Sequence, residues 1–367
     1  RDASKAFEWY ERAAEQGHIS AQYNVGVCYD NGKGVERDAS KAFEWYERAA
    51  EQGHTKAQFK LGVCYDNGIG IERDKRKAFE WYEKAAKQEN IKAQFNLGYC
   101  YRYGEGIEKN EKESFRWYKK AAEQGHTKAQ FNLGFYYDAG IYDAGITVEK
   151  DKRKAFGWWK KAAEKGLAEA QYKVGVCYDK GEGVEINKYK AFEWYEKAAE
   201  QGHTKAQFNL GFYYDAGIYD AGITVEKDKR KAFGWWKKAA EKGLAEAQYK
   251  VGVCYDKGEG VEINKYKAFE WYEKAAEQGL AEAQFNLGVC YTLGKGVEKD
   301  EVKVFEWWKK AAEQGDVRAQ YIIGVWYDCG TVVKKDERKA LEWYKKAANQ
   351  GHQKACEEVE RLQKKLS

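Results

Sequence analysis

The strongest constraint on this chain is a period. The phrase Ala6-Phe7-Glu8-Trp9-Tyr10 returns with its first position at Ala42, Ala78, Ser114, Ala155, Ala191, Ala232, Ala268, Val304 and Ala340. The step is 36 residues, except for two steps of 41. Self-similarity at such a period marks a repeat array, in which a unit cannot bury its apolar face alone and stacks on its neighbours. Both longer units carry a doubled pentapeptide, Tyr137–Ile141 then Tyr142–Ile146, and Tyr214–Ile218 then Tyr219–Ile223. This reads as a local duplication at the tip of a loop. Residues 126–202 recur unchanged as 203–279, so the array has grown by copying units.

Each unit reads as two helices. In the first, Ala21, Val25 and Tyr29 fall at i, i+4 and i+8 on one face. Gly26 lies at the edge of that face, and glycine holds its column in all nine complete units. A mid-helix glycine costs about 1 kcal/mol against alanine, so its recurrence points to a helix approach that a side chain would block. Asn31-Gly32-Lys33-Gly34 then forms a turn. One column holds Asp2, Asp38, Asp74, Asn110, Asp151, Asn187, Asp228, Asn264, Asp300 and Asp336, oxygens placed to cap the second helix. Phe7, Tyr10 and Ala13-Ala14 form the packing side of that helix. Glu8 stands four residues before Arg12, an ion-pair spacing kept in seven of ten units. Gly17 and its equivalents end the helix through a left-handed turn. Glu89 is the exception in that column, with Asn90 beside it as the substitute for that conformation.

The pattern of Ala57, Leu61, Gly62, Tyr65, Gly68, Gly70, Asp74, Lys77, Ala78, Trp81, Tyr82, Ala85 and Ala86 resembles the Sel1-like repeat. The resemblance covers the chain up to about Ala355. It implies a fold related to tetratricopeptide arrays: an all-α, right-handed α-solenoid of about ten helix-turn-helix repeats, of 36 residues with two of 41. It also implies an adaptor that holds other proteins together, as members do in degradation complexes, in chitin synthase activation, and as arrays fused to kinase-like domains. Residues 1–367 then form a single array with a truncated first repeat at 1–17 and a capping helix at about 353–367. The chain has no methionine and starts at Arg1 just before a second helix, which points to further sequence upstream. A regulatory arm attached to a kinase-like or other enzymatic domain is the alternative reading.

Composition narrows the chemistry. A 43% apolar chain is not disordered, and no apolar run is long enough to cross a bilayer. A net charge of +5 with both signs interspersed calls for neither nucleic acid nor membrane insertion. Cys28, Cys64, Cys100, Cys177, Cys254 and Cys290 share one column, once per unit. Neighbouring helices stand about 8–10 Å apart, too far for a disulfide between units. The column reads as small buried thiols, which favours a reducing, cytoplasmic setting. The cysteine-rich Sel1-like proteins, to which a β-lactamase activity has been ascribed, instead pair two cysteines within each unit.

His18, His54, His126, His203 and His352 each follow a helix-ending glycine, near a helix C-terminus whose dipole favours a cation. They do not converge as metal ligands. The Gly-x-Gly turns lack the strand and the Lys-Ser/Thr of a phosphate cradle. The tryptophans at Trp9 and its equivalents keep one register and read as contacts between units. No catalytic group, metal or small-molecule cofactor is expected.

The surface opposite the packing face carries the variation. In the column of Asp30, acidic almost everywhere, Arg102 stands out, with Tyr103 beside it. Together with Lys56, Lys92, Lys128, Phe95, Tyr99, Phe131 and Phe135 it forms a basic and aromatic patch on the inner face. Such a patch suits a protein or peptide partner carrying an acidic or C-terminal segment, with rings as anchors and cations meeting carboxylates.

Overall fold

The computed structural model describes residues 2–143, 146–220 and 223–366, and the chain divides into two compact units, residues 1–187 and 188–367. The first unit runs α1 (Ala3–Glu15), α2 (Ile19–Asn31), α3 (Ala39–Glu51), α4 (Thr55–Asn67), α5 (Lys75–Lys87), α6 (Ile91–Tyr103), α7 (Glu111–Glu123), α8 (Thr127–Ala139), a short ribbon of β1 (Ile141–Asp143) and β2 (Ile146–Val148), α9 (Lys152–Glu164) and α10 (Ala168–Lys180). The second runs α11 (Lys188–Glu200), α12 (Thr204–Ala216), β3 (Ile218–Asp220), β4 (Ile223–Val225), α13 (Lys229–Glu241), α14 (Ala245–Lys257), α15 (Lys265–Glu277), α16 (Ala281–Leu293), α17 (Glu301–Glu313), α18 (Val317–Cys329), α19 (Glu337–Asn349) and α20 (Gln353–Leu366). The architecture is an all-α solenoid of stacked hairpins, ending on α20.

The columns of the sequence act as caps and contacts. Side-chain oxygens of Asp2, Asp38, Asp74, Asn110, Asp151, Asp228, Asn264, Asp300 and Asp336 each accept from the backbone N–H three residues on. The glycine column lets an aromatic ring of the next helix lie against the backbone. A Cβ on Gly62 would stand 2.6 Å from Tyr82, one on Gly98 2.8 Å from Tyr118, and one on Gly134 2.2 Å from Trp159. The second glycine of the turn has a comparable reason, since a Cβ on Gly70 would lie 2.1 Å from the Ala39 carbonyl oxygen.

A buried glutamine in each first helix was not anticipated. Its amide nitrogen donates to an alanine carbonyl of the preceding second helix, as Gln58 does to Ala50 at 3.2 Å. Outside the two 41-residue repeats its oxygen accepts from a glutamine thirty residues on, as Gln58 does from Gln88 at 2.8 Å and Gln94 from Gln124 at 2.8 Å. These bonds tie three successive helices through otherwise apolar surroundings, where an unmet polar atom is costly.

Four expectations are corrected. The doubled pentapeptides build antiparallel ribbons, with Ile141 opposite Val148 and Ile218 opposite Val225. β-Branched side chains suit paired strands, and Ile141 and Val148 are buried beside Phe115 and Tyr136. Residues 144–145 and 221–222, the tips, lie outside the described residues. Glu89 itself adopts the left-handed conformation (φ 63°), and Asn90 instead caps α6 by accepting from the Ala93 N–H.

Four of the five histidines serve the helix that follows rather than the one that ends. Nδ1 of His54, His126, His203 and His352 accepts from the N–H three residues on, each at 3.2 Å. The turn is so tight that the residue after the glycine is already an N-cap, where an acceptor is wanted. Last, Arg12 and its equivalents turn onto the tryptophan three residues back rather than toward the glutamate. Arg48 lies 4.5 Å from the Trp45 ring centroid and Lys84 3.8 Å from that of Trp81. A half-buried indole face holds a cation better than an exposed carboxylate does.

Candidate functional site

The basic and aromatic residues fall on three consecutive first helices of the first unit, α4, α6 and α8. Helical rise separates them into two groups. Lys56, Lys92 and Lys128 are exposed at the second residue of their helices, whereas Tyr99, Arg102 and Tyr103 close α6. Lys92 therefore lies roughly 10–17 Å along the axis from that cluster.

Phe95 and Phe131 are half-buried and engaged in packing. Phe95 stacks on His126 at 4.5 Å and meets Tyr118 at 5.6 Å. Phe131 meets Phe135 edge-on at 4.9 Å, and its carbonyl accepts from the Trp159 indole at 3.2 Å. The residues left facing solvent are Tyr99, Tyr103 and Phe135, which are 42%, 51% and 36% exposed. The Tyr99 and Tyr103 rings lie 4.5 Å apart.

Arg102 links the two helices. Its guanidinium lies 5.2 Å from the Tyr136 ring centroid and 5.8 Å from that of Tyr103. Together with Glu111, Phe135, Asp138 and Ile141 it lines a pocket of about 540 Å³. The Tyr136 hydroxyl closes one side of this pocket, donating to Glu111 Oε2 at 2.7 Å, with Ser114 Oγ 2.8 Å away. Ser114 donates in turn to the Gly98 carbonyl at 2.8 Å. Burial and the Glu111 carboxylate push the Tyr136 phenol well above its ordinary pKa, so it stays protonated.

Arg102 occupies this place at a cost. In the preceding hairpins the tyrosine beneath this column donates to its carboxylate, Tyr46 to Asp30 at 3.2 Å and Tyr82 to Asp66 at 3.3 Å. Tyr118 is the equivalent residue, fully buried; with arginine in the column its hydroxyl loses the carboxylate acceptor and makes no hydrogen bond of good geometry, with the Asn132 side chain beside it. A buried unsatisfied group costs about 1–3 kcal/mol. Sequence reading passed over Ser114, Tyr118 and Tyr136. The signal was available: Ser114 replaces the column's alanine and Tyr136 its cysteine, both within reach of the unit where Arg102 replaces aspartate.

The buried thiols of the cysteine column have little chemistry available, while Cys329 and Cys356 are exposed. Burial pushes the Cys64 and Cys290 thiols up to about 11 and those of Cys100, Cys177 and Cys254 to about 12, which removes the nucleophilic thiolate at neutral pH. Among the described residues no three His, Cys, Asp or Glu side chains are grouped to hold a metal ion, and no helix is long and apolar enough to cross a membrane.

Comparison with known proteins agrees with this architecture. The Sel1 repeat pattern matches ten successive segments that together cover residues 1–352. The crystal structure of a protective antigen present in uropathogenic Escherichia coli strains, displaying an SLR fold, superposes with a TM-score of 0.88. It is 38% identical over 100% of this chain and 76% of that one. A Sel1 repeat protein from Oxalobacter formigenes superposes with a TM-score of 0.61 at 32% identity, over 85% of this chain and 87% of that one. No curated protein sequence matches the chain.

Proposed function

From the premise that this chain belongs to the Sel1 repeat family, we propose that it is a non-catalytic scaffold for protein partners, and that the Arg102 pocket receives a carboxylate-bearing segment of one of them. The stacked hairpins supply a frame whose stability sums over repeats and interfaces, and a partner is held by modest contacts along it. One observation carries the reading. Arginine displaces the carboxylate of its column although this strands the Tyr118 hydroxyl, and a local rule broken without structural gain is expected where function is served.

The pocket's chemistry sets the partner. Its guanidinium faces rings rather than a carboxylate of its own chain, so an acidic side chain or a chain terminus can take both N–H forks. Tyr99, Tyr103 and Phe135 offer flat apolar contact at little entropic cost. Lys56, Lys92 and Lys128 extend positive charge along the same three helices and serve to attract an acidic segment rather than to fix it.

The test is partner capture by the wild-type chain and by a Tyr99→Ala, Arg102→Glu variant that unfolds at no lower a temperature than the wild type. A partner retained by the first and lost by the second supports the pocket. Equal capture by both defeats it.

A further inference from the structure

The glutamine ladder is interrupted at two places. Where Gln52, Gln88, Gln124, Gln278, Gln314 and Gln350 reach the buried acceptor, at 2.7–3.3 Å, the two 41-residue repeats present Lys165 and Lys242. Their ammonium groups donate elsewhere, to the Gly125 carbonyl at 2.6 Å and the Gly202 carbonyl at 2.5 Å. Gln130 Oε1 and Gln207 Oε1 are left buried with no donor. Gln130 and Gln207 are themselves only 5% and 4% exposed.

The interruption also changes the surface above it. The cleft between successive second helices holds about 470 Å³ beside α7, where Gln124 reaches across to Gln94. The equivalent cleft beside α13 holds about 660 Å³, lined by Glu200, Gln207, Trp235, Lys238, Glu241 and Lys242. Two carboxylates balance two ammonium groups there, and Lys238 already covers one face of Trp235 at 3.9 Å. A charged ligand would meet a like charge on either side. What the cleft lacks is one neutral hydrogen-bond donor aimed at Gln207 Oε1.

We propose that this cleft is a second binding site, separate from the Arg102 pocket, and that its ligand is the primary amide of a glutamine side chain on a partner polypeptide. The array displays the occupant itself in its other repeats, where a glutamine side chain enters from the neighbouring helix and donates to this same oxygen. Lys242 is exposed and flexible, and its ammonium can move into water to admit the amide. Glu123, Gln130, Trp158, Lys161, Glu164 and Lys165 repeat the arrangement one copy earlier. The chain thus carries two identical amide slots, one in each compact unit.

The experiment titrates the whole chain with acetyl-Ala-Gln-Ala-amide and with its norleucine analogue, which keeps the shape and lacks the donor. Binding is read by thermal stabilisation and by the indole resonances of labelled tryptophan. A donor to a buried acceptor makes the glutamine peptide at least about tenfold tighter than the norleucine peptide. A Lys165→Gln, Lys242→Gln variant, which refills both slots from within, is expected to unfold at a higher temperature and to lose the response to either peptide. Equal binding of the two peptides, undiminished binding by that variant, or no response to the glutamine peptide up to its solubility would each overturn the proposal.

Discussion

The hairpin of α4 and α5 and the hairpin of α6 and α7 stand 36 residues apart and share one backbone plan, yet their turns do opposite things. In the first, Asp66 accepts from Tyr82 at 3.3 Å and pairs with Lys75, which also meets Glu105. In the second the charges are exchanged, with Arg102 in the place of Asp66 and Glu111 in that of Lys75. An exchange alone would preserve the pair. It does not survive here because Tyr136, standing where Cys100 stands one repeat earlier, takes the Glu111 carboxylate for itself. Arg102 is left over the ring and Tyr118 is left without an acceptor. The same fold can therefore close a turn on itself or leave it open to another molecule, by changes at three columns.

The largest expected effect comes from converting the open turn into the closed one. An Arg102→Asp, Glu111→Lys variant restores the acceptor for Tyr118 and the ion pair beside it. Denaturant unfolding should show a gain of about 1–3 kcal/mol, the cost of one stranded buried group. Partner capture should fall at the same time. A variant that loses both stability and capture would show that Arg102 holds the turn together, and the contrast between the two hairpins would collapse.

Removing the hydroxyls sharpens the same contrast. Tyr82→Phe deletes a made hydrogen bond to a carboxylate and should cost about 1–2 kcal/mol. Tyr118→Phe deletes an unmade one and should be neutral or stabilising. Equal losses at both sites would mean that Tyr118 has a partner in solution. A third substitution cuts the other way, because the closed hairpin has its own flaw: it ends on Glu89 in a left-handed conformation, where the open hairpin ends on Gly125. Glu89→Gly should raise stability by about 1 kcal/mol by relieving the clash of Cβ with the backbone. No change in the unfolding midpoint would count against that strain.

What was legible in the sequence was whatever recurs. The helix caps, the glycine column, the buried cysteines and the tryptophan register all repeat with the period, and each has a single physical reason that needs no partner to be known. Contacts between columns were less accessible. Gln58 recurs in every complete unit and Gln88 in all but the two longer ones, but only the fold shows that thirty residues bring one amide onto the other. A cation four residues from Glu44 and three from Trp45 satisfies two rules at once, and the half-buried indole decides between them.

The ribbons were missed for a different reason, since residues 141–143 pair with 146–148, only partly within the duplication, whose first copy begins in α8. Arg102 itself stood out as a departure from its column. That it costs Tyr118 the carboxylate acceptor of the preceding hairpins is a fact of three dimensions.

The smallest expected effect concerns the caps of the first helices, and it again separates neighbouring hairpins. His54 caps α4 and His126 caps α8, each through Nδ1, whereas Asn90 caps α6 between them. Burial, with the nearby Lys56 at one site and Lys128 and Lys92 at the other, lowers the pKa of both imidazoles. In the unfolded chain they titrate near 6.5. As the pH falls below that value the unfolded state takes up protons that the folded state refuses, so stability declines until the lowered folded pKa is reached and then levels off. Above about pH 7 neither histidine contributes to the slope. Asparagine at position 90 shows that an amide serves the same cap, so His54→Asn, His126→Asn should leave neutral stability nearly unchanged. The variant should flatten the decline measured between about pH 7 and 5.5, a window above the range where ordinary carboxylates titrate. An unchanged slope in that window would assign the acid sensitivity to other groups.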